Sequence, residues 1–276
     1  MGEDAERTAI EGELQALAAT ADSEVDIGET ALKLAALDRP HISLERYRAH
    51  LAEIAADLLA TGATSLDDQV TALHEVIVAR HGYEGDRLTY DDVQNANLIR
   101  VIDRKKGLPV SLGILFIHAG QTAGWNVVGM TFPFHFLVRV EAGGARASLD
   151  PFEGGAPISA DGMRNILKRF GEDGPVKPEF YQVASNREVL MRLENNIKSR
   201  AMQARDFPRA AAIIRRMLLF APGYASLWRE LCLIETTAGN LRGAVAAAEE
   251  YARRAKNTGQ RHDAATLLQR LKKSLN

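Results

Sequence analysis

Ser111, His135 and Asp150 are the residues of this chain whose types and order suit acyl chemistry. A serine hydroxyl becomes a nucleophile when a base takes its proton. Imidazole is the usual base, and a carboxylate holds it in the working tautomer. Ser111 lies in GLPVSLGILF, residues 107–116, where a Gly-x-Pro turn runs into an apolar stretch. His135 lies in the alternation of Phe134, Phe136, Val138 and Val140 with His135, Leu137 and Arg139, and Asp150 stands just before Pro151. Between them Gly143-Gly144 signals a hairpin. With a loop of two or four residues centred there, cross-strand partners have numbers with an odd sum: 285 sets His135 opposite Asp150, and 287 sets them on a diagonal. Either register brings both side chains to one face, about 5–8 Å apart. A three-residue loop would send them to opposite faces. The expected arrangement has Asp150 on the His135 Nδ1–H and Ser111 facing Nε2, with the Ser111 backbone N–H contributing to an oxyanion hole that Asn95 or Asn97 assists.

Each of these residues also has a purely structural role to play. Serine after Pro109-Val110 is a favoured helix N-cap, worth about 1 kcal/mol over alanine. Asp150 before a proline forms turns, and asparagines suit the turn before a helix. Competing motifs fail. HEVIVARH, residues 74–81, lacks the second histidine of HExxH because Val78 occupies its place, so His74 and His81 read as structural and no metal site is expected. PVSLG departs from G-x-S-x-G at Pro109, and what precedes it reads as helix and turn, not strand. The single cysteine, Cys232, excludes an internal disulfide and a cysteine-based metal cluster.

The elements that must position these groups are legible as periodicity. Residues 29–62 are helical with a break at Arg39-Pro40, and Leu44, Tyr47, Leu51, Ile54 and Leu58 form the apolar stripe. A second amphipathic helix covers 66–81. A polar connector follows, with a short helix over about 92–104, and a further helix runs from near Ser111 to about Ala123. Strands are expected at 126–131, 134–141 and 146–150. From about Ser185 the chain is helical, and it repeats at an offset of 34 residues: Ala204 falls on Ala238, Asp206 on Asn240, Phe207 on Leu241 and Ala210 on Ala244. That period, with Pro222 ending one unit and Trp228 opening the next, resembles tetratricopeptide repeats.

Composition narrows the function classes. The formal net charge of −2 carries no nucleic-acid footprint. Charge is polarised, with nine acids and one base over residues 2–29 and seven bases and one acid over 252–276, which solvated helix faces account for. The acidic start lacks a basic n-region, and no apolar run approaches the roughly 18 residues of a membrane span. A cytoplasmic protein without membrane or nucleic-acid partners is expected.

The ordered segments NANL…VI (95–102), GLPVSLG, GMTFPFHFLVRV and LDPFEGG resemble the transglutaminase-like SirB family of bacteria, from about residue 25 to 260. The resemblance implies an α+β core related to papain-like cysteine proteases, followed by tetratricopeptide-like repeats. It divides the chain into an N-terminal extension (1–21), the transglutaminase-like domain (22–183) and the repeats (184–276). A similar domain occurs in a eukaryotic F-box protein. Active transglutaminase-like proteins carry a cysteine where this chain has Ser111, followed by a strand histidine and an aspartate matching His135 and Asp150. Phe134 stands where relatives usually show glycine. The resemblance therefore implies a non-catalytic or regulatory interaction protein. Its protein or peptide partner is expected at the helical repeats and the Ser111 cleft, and no cofactor is implied. The alternative is a serine-type amidohydrolase or acyltransferase using Ser111, His135 and Asp150.

Overall fold

The computed structural model describes residues 3–275. The chain divides into two compact units, Met1–Arg7 with Ala21–Leu193 and Thr8–Thr20 with Glu194–Asn276. The dividing line falls inside the helix Asn186–Gln203 and not at residue 183, and residues 8–20 group with the repeats and not as a separate extension.

The first unit is α+β. Its main sheet has five strands, in the order Ala156–Pro157, Ala145–Asp150, Val138–Ala142, Asn126–Met130 and Val183–Ala184, with every neighbour antiparallel, and Glu84–Gly85 pairs separately with Lys106–Gly107 in parallel. The hairpin closes through a two-residue turn, because Ala142 pairs with Ala145 and Val138 with Leu149, a register whose sum is 287. Gly143 and Gly144 both take left-handed φ, 59° and 79°, as a two-residue turn with the twist of the flanking strands demands. The strand expected over 134–141 starts later, at Val138. Phe134 has φ 62°, and the His135 N–H bonds the Pro133 carbonyl at 2.7 Å, so the segment before Phe136 is a tight three-residue turn.

One helix, Pro109–Thr122, organises this unit. It is buried around most of its circumference and packs against the helix Glu45–Ala60 and the strand Asn126–Met130. An all-round apolar helix belongs inside a core, and the run LGILFI meets that requirement. Close approach is possible because Gly113 faces the Phe136 ring, where a Cβ would collide with it. The stripe Tyr47, Leu51, Ile54 and Leu58 is buried as its spacing predicts. The helix expected over 66–81 is present but changes pitch: Leu66–Leu73 is α-helical and His74–Arg80 is a π-helix.

The second unit is helical, with Phe207–Phe220, Ala225–Thr237, Leu241–Arg254 and Thr258–Leu275 in series. The 34-residue offset holds in atomic detail. Asp206 and Asn240 are equivalent N-caps, accepting from the Arg209 and Gly243 N–H groups at 3.0 and 3.1 Å. The residues before them, Arg205 and Gly239, both take left-handed φ, 57° and 78°. Ala210 and Ala244 are both fully buried. Trp228 Nε1 donates to the Pro222 carbonyl at 2.9 Å, tying one unit's end to the next unit's start. Cys232 is buried in this region, and burial pushes its thiol pKa up.

Two glycine substitutions separate propensity from packing. Gly113→Ala forces a methyl group against a buried aromatic ring, a cost of about 1–3 kcal/mol that outweighs the helix-propensity gain. Gly12→Ala meets nothing within 4 Å in the helix Glu3–Ala16 and should stabilise by about 0.5–1 kcal/mol. Urea unfolding midpoints should therefore move in opposite directions.

Candidate active site

His135 and Asp150 meet. His135 Nε2 lies 2.9 Å from each oxygen of the Asp150 carboxylate: the hairpin register sets Asp150 at the end of its strand, and the turn before Phe136 carries His135 to it. Asp150 is also the N-cap of the short turn Pro151–Glu153, accepting from the Phe152 and Glu153 N–H groups at 3.0 and 3.4 Å. Its Oδ1 is thereby fixed by two backbone donors, and the imidazole sits against a carboxylate held in place by its own turn. The ring nitrogen facing it is Nε2, and not Nδ1 as a Ser-His-Asp arrangement predicts. This leaves Nδ1 as the nitrogen for any reacting hydroxyl.

The histidine stands in an aromatic setting. Phe152 presents its ring edge-on at 6.3 Å between centroids, Tyr90 packs on Phe152 at 5.7 Å, and the Arg87 guanidinium lies 5.3 Å over the Phe152 ring. Phe134, next to His135, stacks on Phe170 at 4.9 Å with the rings nearly parallel, and both are about half exposed. Left-handed φ costs a bulky residue about 1–2 kcal/mol, which this stack and the turn hydrogen bond offset. Phe134 thus occupies, under strain, a conformation natural to the glycine expected at this position.

Ser111 differs from its expected role in two ways. It does not cap the helix: Leu108 is the N-cap residue, Pro109 opens the first turn, and Ser111 lies inside. Proline suits that first position because its missing N–H would have had no helical partner. Ser111 is also fully buried, and its hydroxyl donates to the Asn95 carbonyl at 2.6 Å. No hydrogen bond joins Ser111 to His135 among the described residues. A partner docking in this region would not touch the Ser111 side chain.

Neither asparagine offers its amide to Ser111. The Asn95 side chain, fully buried, donates to the Thr89 carbonyl at 2.6 Å and accepts from Arg104 at 2.8 Å. Asn97 donates to the Ala35 carbonyl at 3.0 Å and caps the helix Leu98–Arg104 by accepting from the Arg100 N–H at 3.1 Å. Both are structural residues and not oxyanion donors.

The residues that the spacing did not reveal are Asp86 and Arg104. Arg104 bridges Asn95 to the buried Asp86 carboxylate, at 2.7 Å, so a chain of hydrogen bonds runs from Asp86 through Arg104 and Asn95 to Ser111. Burial alone would raise the Asp86 pKa. Bonds from the Thr89 hydroxyl and N–H and from Arg104 outweigh it and hold the carboxyl well below the usual carboxylate range.

Residues 45–195 match the transglutaminase-like superfamily, and residues 197–272 match the tetratricopeptide repeat. Among relatives, a UPF0162 protein of Xylella fastidiosa (strain Temecula1) is 28% identical over 187 residues, 66% of each chain. A UPF0162 protein of Vibrio cholerae is 29% identical over 204 residues, 72% of this chain and 74% of the relative. The human F-box only protein 21 is 29% identical over 136 residues, 46% of this chain and 21% of that protein. The stretches matched in the Xylella proteins span about two-thirds of their length, 66% and 64%. No helix among the described residues is long and apolar enough to cross a membrane.

Asp86 gives this unit an acid-sensitive support. Its folded pKa is depressed, so its contribution is present above the unfolded value of about 3.9 and is lost as pH falls below it. Asp86→Asn should lower stability at pH 7. It should also lose less further stability than the wild type between about pH 4 and pH 2.5, as read by urea midpoints at each pH. The helix packed on an antiparallel sheet, the histidine–aspartate pair across its hairpin and a match covering more than half of the sequence agree, and the chain belongs to the transglutaminase-like superfamily.

Proposed function

We propose that this protein is a non-catalytic or regulatory interaction protein in which Ser111 occupies the nucleophile position of a transglutaminase-like core. The observation that carries this reading is the state of the Ser111 hydroxyl: it is buried, and its hydrogen is donated to the Asn95 carbonyl at 2.6 Å, away from any base. A serine needs full general-base help, whereas a cysteine at a helix start is readily a thiolate. The one cysteine, Cys232, lies among the repeats and is buried. Partner binding falls to the repeat unit, where tetratricopeptide architecture supports protein–protein interaction. A groove of about 480 Å³ there is lined by Leu218, Trp228 and Leu231, with Arg215, Glu250 and Arg253 among its charged lining residues, which suits an amphipathic peptide segment.

A second reading, a serine-type amidohydrolase or acyltransferase, is favoured by one observation. His135 is held by Asp150 at 2.9 Å as a catalytic base would be. Ser111 would then have to break its bond to Asn95 before transferring its proton.

Two experiments test the proposal. A fluorophosphonate probe should leave Ser111 of the native protein unlabelled; labelling that disappears in Ser111→Ala would establish the second reading instead. The same substitution should cost only about 1 kcal/mol of stability, because the Asn95 carbonyl keeps the Leu108 N–H at 3.1 Å. In quantitative affinity capture, reversing the exposed groove arginines together (Arg215→Glu, Arg253→Glu) should deplete the partners held by the wild-type protein. An unchanged partner set would exclude the repeat groove as the binding surface.

A further inference from the structure

The helix Glu45–Ala60 carries His50, Glu53 and Asp57 at spacings of three and four residues, so all three share one face. The π-helical stretch His74–Arg80 packs against this helix and ends by delivering His81 to that face. The wide pitch fixes the delivery, since the His81 N–H bonds the Val76 carbonyl five residues back at 3.0 Å. His50 Nδ1 stands 3.1 Å from Glu53 Oε2, His81 Nε2 stands 2.8 Å from Asp57 Oδ2, and the two imidazoles meet edge to face at 5.3 Å. One ligand atom from each of His50, Glu53 and His81 lies within 4.8 Å of the others. We propose that His50, Glu53 and His81 form a binding site for a divalent transition-metal ion of the zinc class, with Asp57 and Tyr83 orienting the two imidazoles.

The donor set selects the ion. Two imidazoles and one carboxylate suit zinc and its neighbours, whereas magnesium and calcium take oxygen ligands. Tetrahedral ligands at about 2.0–2.1 Å from zinc stand roughly 3.3 Å apart. The His50–Glu53 pair is already at that separation, and His81 closes on it by a side-chain adjustment. Glu53 is largely exposed, at 62%, which gives the ion a route in and leaves water to complete the coordination. A metal-bound imidazole donates its other ring N–H to a neighbour that fixes the ring. For His81 the neighbour is Asp57. For His50 it is the buried Tyr83 hydroxyl, 3.0 Å from Nε2.

Lys105 is the site's built-in competitor. Its Nζ lies 2.7 Å from His50 Nε2 and 3.3 Å from the Tyr83 hydroxyl. Metal on Nδ1 turns Nε2 into a donor toward Tyr83 and displaces the ammonium. The site involves neither Ser111 nor the repeats.

The test is calorimetric titration of zinc chloride into the full-length protein, free of any affinity tag and first stripped with a chelator. One ion per chain should bind saturably, with a Kd of about 1 μM or tighter. His50→Ala and His81→Ala should each abolish that binding, Asp57→Asn should weaken it about ten- to a hundredfold, and Lys105→Met should tighten it. His74→Ala is the control, since that ring bonds the Gly154 carbonyl elsewhere, and it should leave binding unchanged. Absence of saturable zinc binding by the wild-type protein overturns the proposal whatever the variants do. Binding that survives both His50→Ala and His81→Ala overturns it equally.

Discussion

The Asn95 carbonyl oxygen is the joint on which the first unit turns. It accepts the Leu108 N–H at 3.1 Å and the Ser111 hydroxyl at 2.6 Å, one donor from just before the buried helix and one from its first turn. A helix start leaves backbone donors that need partners, and a helix buried in apolar surroundings cannot find them in water. The polar loop before Pro109 therefore has to be brought in and fixed. Arg104 does this by gripping the Asn95 side chain while itself held by the buried Asp86, so a part-buried ion pair anchors a turn that anchors a helix. An isolated buried carboxylate would be prohibitive; here Asp86 accepts from Arg104, the Thr89 hydroxyl and nearby backbone N–H groups.

That arrangement decides what Ser111 does. In a nucleophile the hydroxyl proton must face a base, and here it faces a carbonyl that already serves the fold. A serine at this position also differs from a cysteine in its local physics. A hydroxyl is a strong, short-range donor and locks onto an available carbonyl, whereas a thiol is a weak donor and would be held far less firmly. The Ser111 hydroxyl thus helps to fix the start of the buried helix. His135 stays paired with Asp150, and the turn at Phe134 holds the backbone that precedes the imidazole.

Sequence patterns revealed these features unevenly, for physical reasons. The His135–Asp150 meeting is only partly a matter of parity: the two-residue glycine turn fixes the register as far as Val138 and Leu149, and the tight turn at Phe134, which spacing does not reveal, delivers His135 to Asp150. The repeats were legible because a stack requires the same cap, turn and small residue at a constant interval. Ser111 as a cap was wrong because proline at position 109 claimed the first helical position and moved the helix start upstream. Which imidazole nitrogen faces Asp150 is a matter of side-chain rotation, and spacing holds no record of it. Asp86 and Arg104 were invisible for a different reason: they are 18 residues apart, in a connector whose composition reads as solvent-exposed, and only the fold shows that Asp86 within it is buried against Arg104. The pitch change at His74 escaped as well, since apolar spacing along 66–81 fits an α-helix equally well until tertiary contacts select the wider turn.

The matching caps of the repeats carry a consequence for how such a tail can evolve. Asp206 and Asn240 begin their helices in the same way, each preceded by a left-handed residue, so the junction between units is an interchangeable part. Units joined by interchangeable junctions can be duplicated or deleted whole without disturbing their neighbours, since each contacts only the next. The helix Thr258–Leu275 has Ala264 and Leu271 as its only buried hydrophobics among the described residues and presents the rest of its surface to water. Array length is then free to drift, and the extent of the exposed repeat surface becomes a heritable quantity that changes in steps of 34 residues.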